Sequence, residues 1–409
     1  MQLSDINLVD PDTFVKGVPH DQFSFLRREA PVFWHEDQYG GFWALTKHED
    51  VVAANRDSKL FSSYLRSPLY NVEDEDSIAQ LRLMMLSLDP PDHTKLRLIV
   101  NRGFTPRRIK ALQQSLVDRS RAIVDNICER GECDFVTDVA CELPLQAIAD
   151  LIGIPQEDRH KVFDWSNRLV GADDPEFGIT AADSQSAAIE LFMYAQDLAN
   201  ERRQNPRDDI VTNLINAQVD GEGLDDMEFN SFFMLLAVAG NETTRNAIAH
   251  SMLALMEHPD QRKLLLDDPA LLDSAIEEFL RWATPVMQFK RTAAADTIVR
   301  GQQIKAGDRV MMWYSSANRD EEVFDDPFSF DIRRDPNLHT LQAAFGGGGS
   351  HFCLGANLAR AEMKCIFTEL LTRIPDIELA GEPARLRSNF INGLKHLPVT
   401  FTPVARSNA

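Results

Sequence analysis

Along most of this chain apolar residues return three and four positions apart, the spacing that gathers them on one face of an α-helix. That spacing predicts a short helix over 21–30, another from His48, amphipathic helices over 109–129 and 143–151, and two more over 157–171 and 184–205. The longest uninterrupted helical pattern runs from Leu224 to His258, with acidic residues at its start and His258-Pro259 as its stop. At about 1.5 Å per residue, such a helix crosses a whole domain. Further helices are predicted over 269–283, closed by Thr284-Pro285, and over 354–373. Pro90 and Pro91 suit the entry to a helix carrying His93 and Arg97, which share a face because they are four apart. Strand-like runs are few: Gly40 to Leu45, Arg309 to Trp313 set off by Gly301 and Gly307, and the tail from Leu386 to Val404. The expected fold class is mainly α with small β-sheets near 30–50, 286–313 and 386–404, in a single domain over 1–409. Three irregular stretches interrupt it: 61–87 with one helix, the acidic turn-rich 172–183, and the proline-punctuated 324–341.

Composition narrows the function classes. The 409 residues are 44% hydrophobic, enough for a sizeable core. A formal net charge of −21 argues against nucleic acid or an anionic membrane as a general partner. Residues 1–10 lack a basic region followed by an apolar one, and the longest apolar run, Phe232 to Ala239, is too short for a bilayer. No transmembrane segment is therefore expected, and the protein is expected to be soluble and cytoplasmic. Five irregularly spaced cysteines do not read as a disulfide framework and suit a reducing compartment.

The candidate chemistry centres on residues 345–360, where Gly346 to Gly349 precede Cys353. Four glycines let the backbone take positive φ and approach a bulky group closely. Cys353 is expected to open a helix, whose free N–H groups and dipole lower a thiol's pKa and prepare a thiolate ligand. Read alone, the loop is equally consistent with a flexible turn and a structural cysteine. A dinucleotide fingerprint fails because its third glycine would fall on His351 or Phe352, and a phosphate loop fails for want of Gly-Lys-Ser/Thr. Zinc would need companions that Cys353 and Cys365 lack, so one thiolate suggests haem iron.

Four motifs change the picture: Asp89-Pro90-Pro91-Asp92-His93-Thr94-Lys95-Leu96-Arg97, Ala239-Gly240-Asn241-Glu242-Thr243-Thr244, Glu278-Phe279-Leu280-Arg281 and the Cys353 loop. Together, in this order and spacing, they resemble a bacterial cytochrome P450, and the resemblance covers essentially the whole chain. An extra glycine before the cysteine and the run Arg281-Trp282-Ala283-Thr284-Pro285-Val286 resemble the actinobacterial branch that hydroxylates sterol side chains and branched lipids. There is one departure. Phe345 lies eight residues before Cys353 where the family pattern has seven, with Gly346 in the usual slot, which unsettles the place of its ring over the sulfur.

The resemblance implies a cytochrome P450 fold around haem b, with Cys353 as the axial metal ligand. It implies that His93, Arg97, Arg291 and His351 hold the haem carboxylates, and that Phe345, Gly347, Gly349 and Gly355 shape the loop against the cofactor. Ala239 and Gly240 would let the long helix pass the haem, Gly240 otherwise being about 1 kcal/mol worse than Ala in a helix interior. Thr243 and Glu242 are implied as the catalytic alcohol and acid that deliver protons during dioxygen activation, the Thr243 hydroxyl bonding back toward residue 239. Glu278 and Arg281, ordinarily a weak surface pair, are implied to form a buried structural brace for the loop. Leu235, Val238, Ala239, Val286, Met287, Phe289 and Ile391 are the expected substrate pocket, within wider walls at 65–85, 164–177 and 390–394.

The implied activity is insertion of one atom of O2 into an unactivated C–H bond of a hydrophobic small molecule: a sterol side chain, a terpenoid or a branched fatty acid. The chain has neither a cysteine cluster nor spare length for a flavin module. A separate ferredoxin and ferredoxin reductase are thus implied, docking on the Cys353 side where Arg360 and Lys364 would supply positive charge, onto a monomer. Two other readings stand beside this one. A peroxide-driven haem-thiolate peroxygenase would dispense with residues such as Glu242 and Thr243, and a haem-binding sensor would never turn over.

Overall fold

In the computed structural model, residues 1–171, 174–219, 222–334 and 337–407 are described. Residues 172 and 173 of the acidic stretch and 335 and 336 of the proline-punctuated one lie outside the described residues. The chain is mainly helical, with the long helix Asp226–Glu257 at its centre. Its start is fixed by Asp225, whose carboxylate accepts from the Glu228 N–H while the Glu228 side chain accepts from the Asp225 N–H. At its end the N–H of His258 donates to the Ala254 carbonyl. Around it pack Glu142–Ile152, Arg159–Val170, Ala181–Gln204 and Leu272–Ala283, burying Phe229, Phe232, Phe233 and Leu236 among others. Gly240 has a local reason: a Cβ there would lie 2.6 Å from Cδ1 of Ile148. Close contact with helix Glu142–Ile152 is therefore one reason for this glycine, beside the expected passage of a cofactor.

A five-stranded sheet lies beside the helices, in the order Val32–His35, Phe42–Leu45, Arg309–Trp313, Gln288–Ala293, Phe61–Ser62. Its Phe42–Leu45 and Arg309–Trp313 strands are parallel and its other neighbours antiparallel. A three-stranded sheet joins Glu378–Leu379, Pro398–Thr400 and Glu132–Asp134. Predicted and observed helices agree to within a few residues. The exceptions are short: Ile210–Ile215, Pro259–Asp267, Tyr314–Ala317 and Leu338–Leu341 were not expected, and the helix after Cys353 begins only at Ala356. No helix among the described residues is long and apolar enough to cross a membrane.

Candidate active site

Gly346, Gly347, Gly348 and Gly349 all take positive φ, at 95°, 65°, 114° and 81°, a region that costs glycine alone little. What they approach is protein. A Cβ on Gly347 would meet Val52 Cγ2 at 2.8 Å, one on Gly348 would meet Arg56 Nε at 2.8 Å, and one on Gly349 would fall on the Asn55 carbonyl. The loop thus lies directly on helix His48–Arg56, which gives Gly347 and Gly349 a packing reason beside the expected contact with a macrocycle. Gly355 differs, because nothing lies within 4 Å of its would-be Cβ.

The Cys353 N–H donates to the Phe345 carbonyl at 3.0 Å, so the offset phenylalanine is still tied to the cysteine through the backbone. Its ring stands edge-on to Phe352, centroids 6.3 Å apart, with the Arg360 guanidinium 4.7 Å over its face. Cys353 keeps some accessibility but is surrounded by protein, and this burial pushes its thiol up, against the N–H groups of Gly355 and Ala356 and the charges of Arg97 and Arg360. The expectation of a lowered thiol is therefore corrected. The sulfur precedes the helix by three residues, and burial outweighs the helix end.

Beside the sulfur the structure brings together His93, Arg97, Arg291 and His351. The His93 and His351 rings lie 4.2 Å apart, and Arg97 Nη2 donates to the Phe352 carbonyl at 2.6 Å. Burial and the Arg97 charge push His93 down to about 4, and burial and Arg291 push His351 down to about 2, so both imidazoles are neutral near pH 7. His93 is 1% exposed, yet neither ring nitrogen has a partner. Arg291, also buried, donates among the described residues to the Lys290 carbonyl at 2.9 Å and, at 3.5 Å, to Asn55 Oδ1. Buried donors without acceptors are unfavourable, and a carboxylate-bearing ligand is what they lack.

The long helix supplies an open face. Residues 244–255 of it are buried, but Ala239 is exposed and Leu235, Val238 and Thr243 are partly so. Leu235, Ala239 and Thr243, each four apart, make one accessible stripe. Thr243 Oγ1 donates to the Ala239 carbonyl at 2.8 Å, the back-bond that the sequence predicts. Glu242 points elsewhere. Its Oε2 accepts from Arg245, whose Nη1 donates to Asn167 Oδ1 at 3.2 Å, while its Oε1 is buried without a partner. Burial raises the Glu242 pKa and Arg245 opposes the rise.

Val286 and Phe289 are half-buried, and Phe289 meets Phe390 edge-on at 5.4 Å. Met287 and Ile391 depart from expectation. The Met287 side chain packs in the cluster of Phe14, Phe23 and Trp313, just before the strand that begins at Gln288. Ile391, bridged to Val286 through the backbone, faces the same recess as Phe14, Val18 and Met287.

Glu278 and Arg281 are both fully buried, joined by two bonds of 2.7 Å. Arg281 also donates to the carbonyls of Asn318 at 2.8 Å and Pro327 at 2.9 Å. Asn318 Oδ1 accepts the Ala343 N–H at 2.6 Å, which carries the brace to the root of the cysteine loop. Asn318 was not singled out in the sequence, and nothing local to it signals this role. Arg360 and Lys364 are correctly placed on the helix after Cys353 but are not free charges. Arg360 pairs with Glu277 at 2.5 Å and Lys364 with Asp273 at 2.6 Å, so the expected positive docking charge is largely neutralised.

One sulfur, four converging basic side chains, of which His93 has both ring nitrogens buried without a partner, and an open helix face fit a haem. Among the described residues no group of three or more His, Cys, Asp or Glu could hold a metal ion.

Comparison with known proteins agrees. The family profile described as "Cytochrome P450" matches residues 176–374. The chain is 48% identical to a "Steroid C26-monooxygenase" of Rhodococcus jostii over 97% of this chain and 84% of that protein. It is 44% identical to a "Methyl-branched lipid omega-hydroxylase" of Mycobacterium tuberculosis over 98% of this chain and 95% of that one. A Mycobacterium marinum cytochrome P450 solved with pseudoionone superposes with a TM-score of 0.87 at 41% identity, covering 93% of this chain and 94% of that one. With identity at this level running almost end to end, the chain belongs to the cytochrome P450 family of haem-dependent monooxygenases.

Proposed function

We propose that this P450 hydroxylates an unactivated C–H bond on the aliphatic part of a sterol side chain, a terpenoid or a branched fatty acid, using O2 and electrons from a ferredoxin and its reductase. The observation that carries the substrate class is the near full-length similarity to proteins named for steroid and methyl-branched lipid hydroxylation. The apolar, partly accessible side chains of Leu235, Val238, Ala239, Val286 and Phe289 support it, because apolar walls bind by burial and leave few polar groups to select against a hydrocarbon chain. All five cysteines are free thiols, which supports a cytoplasmic setting, and we take the protein to act as a monomer.

In this reading haem b is held by Cys353, with His93, Arg97, Arg291 and His351 taking its carboxylates. Haem held in this way would supply oxygen activation, with the Cys353 thiolate as the residue that would hold and tune its iron. The N–H groups of Gly355 and Ala356 stabilise negative charge on the sulfur. Thr243 holds its hydroxyl on the accessible stripe through the Ala239 carbonyl. From there it would orient a proton donor, and Glu242, whose burial favours its protonated form, would supply the next proton on turning from Arg245. Thr243→Ala should leave the haem spectrum intact but lower product per NAD(P)H by about 10–100-fold, with the electrons recovered as peroxide. Unchanged coupling would remove Thr243 from proton delivery. The substrate class is tested by titrating the ferric protein with a sterol bearing its full side chain, a terpenoid and a branched fatty acid. A saturable low-to-high-spin shift with at least one is expected, and no shift with any would overturn the assignment.

A further inference from the structure

Two parts of the site that are distant in sequence meet at one side chain, Asn55, the penultimate residue of helix His48–Arg56. Its carbonyl occupies the space that a side chain on Gly349 would need, and Arg56 and Val52 fill the spaces beside Gly348 and Gly347. This side of the helix is therefore the mould for the cysteine loop. The Asn55 side chain, buried at 4% exposure, turns the other way. Its Nδ2 donates to the Tyr314 hydroxyl at 3.1 Å, and its Oδ1 accepts from that hydroxyl at 3.2 Å and from Arg291 Nη2 at 3.5 Å. Only one of the first two bonds can use the hydroxyl proton, so Tyr314 orients the amide whichever way that proton points. Among the described residues Arg291 donates to the Lys290 carbonyl and to Asn55 Oδ1, so the Asn55 amide is its side-chain acceptor.

We propose that Asn55 is a positioning residue that couples the loop bearing the thiolate to the arginine that takes a haem carboxylate. This rests on the reading of Arg291 and Cys353 given above. The amide does not touch the cofactor. It fixes the aim of the Arg291 guanidinium relative to helix His48–Arg56, and the same helix fixes the path of Gly347 to Gly349. A shift at either end is therefore felt at the other, and haem retention and sulfur ligation should weaken together when Asn55 is lost.

The test uses the haem-loaded protein and two readouts other than turnover: the rate of haem transfer to excess apomyoglobin, and the fraction of the reduced CO complex that loses its thiolate-type Soret band with time. Asn55→Ala should speed haem transfer by about tenfold, as expected for removing a buried polar partner, and should raise the rate of Soret loss in parallel. Tyr314→Phe, a gentler change that frees the amide without opening a cavity, should move both readouts in the same direction by less. The discriminating measurement is the cycle of Asn55→Ala, Arg291→Lys and the double variant. Coupling predicts that the double variant loses haem no more than about threefold faster than Arg291→Lys alone. Independent, multiplying effects of the two changes would overturn the proposal while leaving Arg291 as a haem anchor. If Arg291→Lys itself leaves haem transfer unchanged, the underlying reading of Arg291 fails instead. A Tyr314→Phe protein with wild-type values for both readouts would also count against the proposal.

Discussion

Cys353→Ser should purify as a folded protein whose reduced CO complex lacks the red-shifted Soret band of thiolate ligation and whose hydroxylase activity is at background. The folding half of that expectation follows from the surroundings. The loop path is held by the φ values of Gly346 to Gly349, by their fit against Val52, Asn55 and Arg56, and by the Cys353 N–H to Phe345 carbonyl bond, none of which uses the sulfur. The chemical half follows from ligand type. A serine hydroxyl remains neutral at pH 7 and cannot donate electron density as a thiolate does. Changes to groups that merely support a metal ligand cost about 10–100-fold, so loss of the only protein ligand should exceed that range. The comparison to make is the CO difference spectrum and product formation side by side. A Cys353→Ser protein that kept the thiolate-type band would remove Cys353 as the ligand.

The second large effect is expected at the brace. Arg281→Ala leaves the Glu278 carboxylate in a fully buried place with its principal cation gone, Arg334 at 3.3 Å being the remaining one. It also strips donors from the carbonyls of Asn318 and Pro327. Removing one member of a buried pair typically destabilises by about 3–5 kcal/mol, because an uncompensated charge remains. A surface pair at the same helical spacing would contribute about 0.3–0.5 kcal/mol. Denaturant unfolding of the haem-loaded protein separates these outcomes directly. Haem content after expression should fall as well, since Asn318 links the pair to the Ala343 N–H and hence to the loop. A loss of stability below about 1 kcal/mol would place the pair in the surface class.

The sequence discloses elements that are long and locally encoded. The long helix is legible because its apolar pattern persists for more than eight turns and ends at a proline, and its observed bounds, Asp226–Glu257, lie within two residues of the prediction. The short helices Ile210–Ile215 and Pro259–Asp267 carry too few residues for a period to stand out. The strand Glu132–Asp134 is legible only through its partner Pro398–Thr400, which is remote in sequence. The site divides in the same way. Residue types announce Cys353, Thr243 and the basic cluster, whereas the partners that give them geometry do not. The glycines announce a loop but not that Val52, Asn55 and Arg56 lie against it. The pairing of Glu242 with Arg245 is an exception that was open to view, since residues three apart on a helix are neighbours. Its consequence for the acid depends on burial, which the pattern around it does not disclose. Met287 fails for the opposite reason: alternation along a strand places it beside Phe289, but the strand starts one residue later.

The accessible stripe of Leu235, Ala239 and Thr243 has a kinetic consequence for the backbone itself. Helices ordinarily open from their ends, where amides lose partners first. Here the exposed first turn is locked by the Asp225–Glu228 capping pair and residues 244–255 are buried, while in the middle Ala239 stays open to solvent. In the haem-free protein, amide hydrogen exchange should therefore run from the centre outward, fastest near Ala239 and slowest toward Leu255. Occupancy of the pocket would turn that order around, so that the most labile segment of the chain's longest helix is also the one that records, in deuterium, whether the pocket is filled.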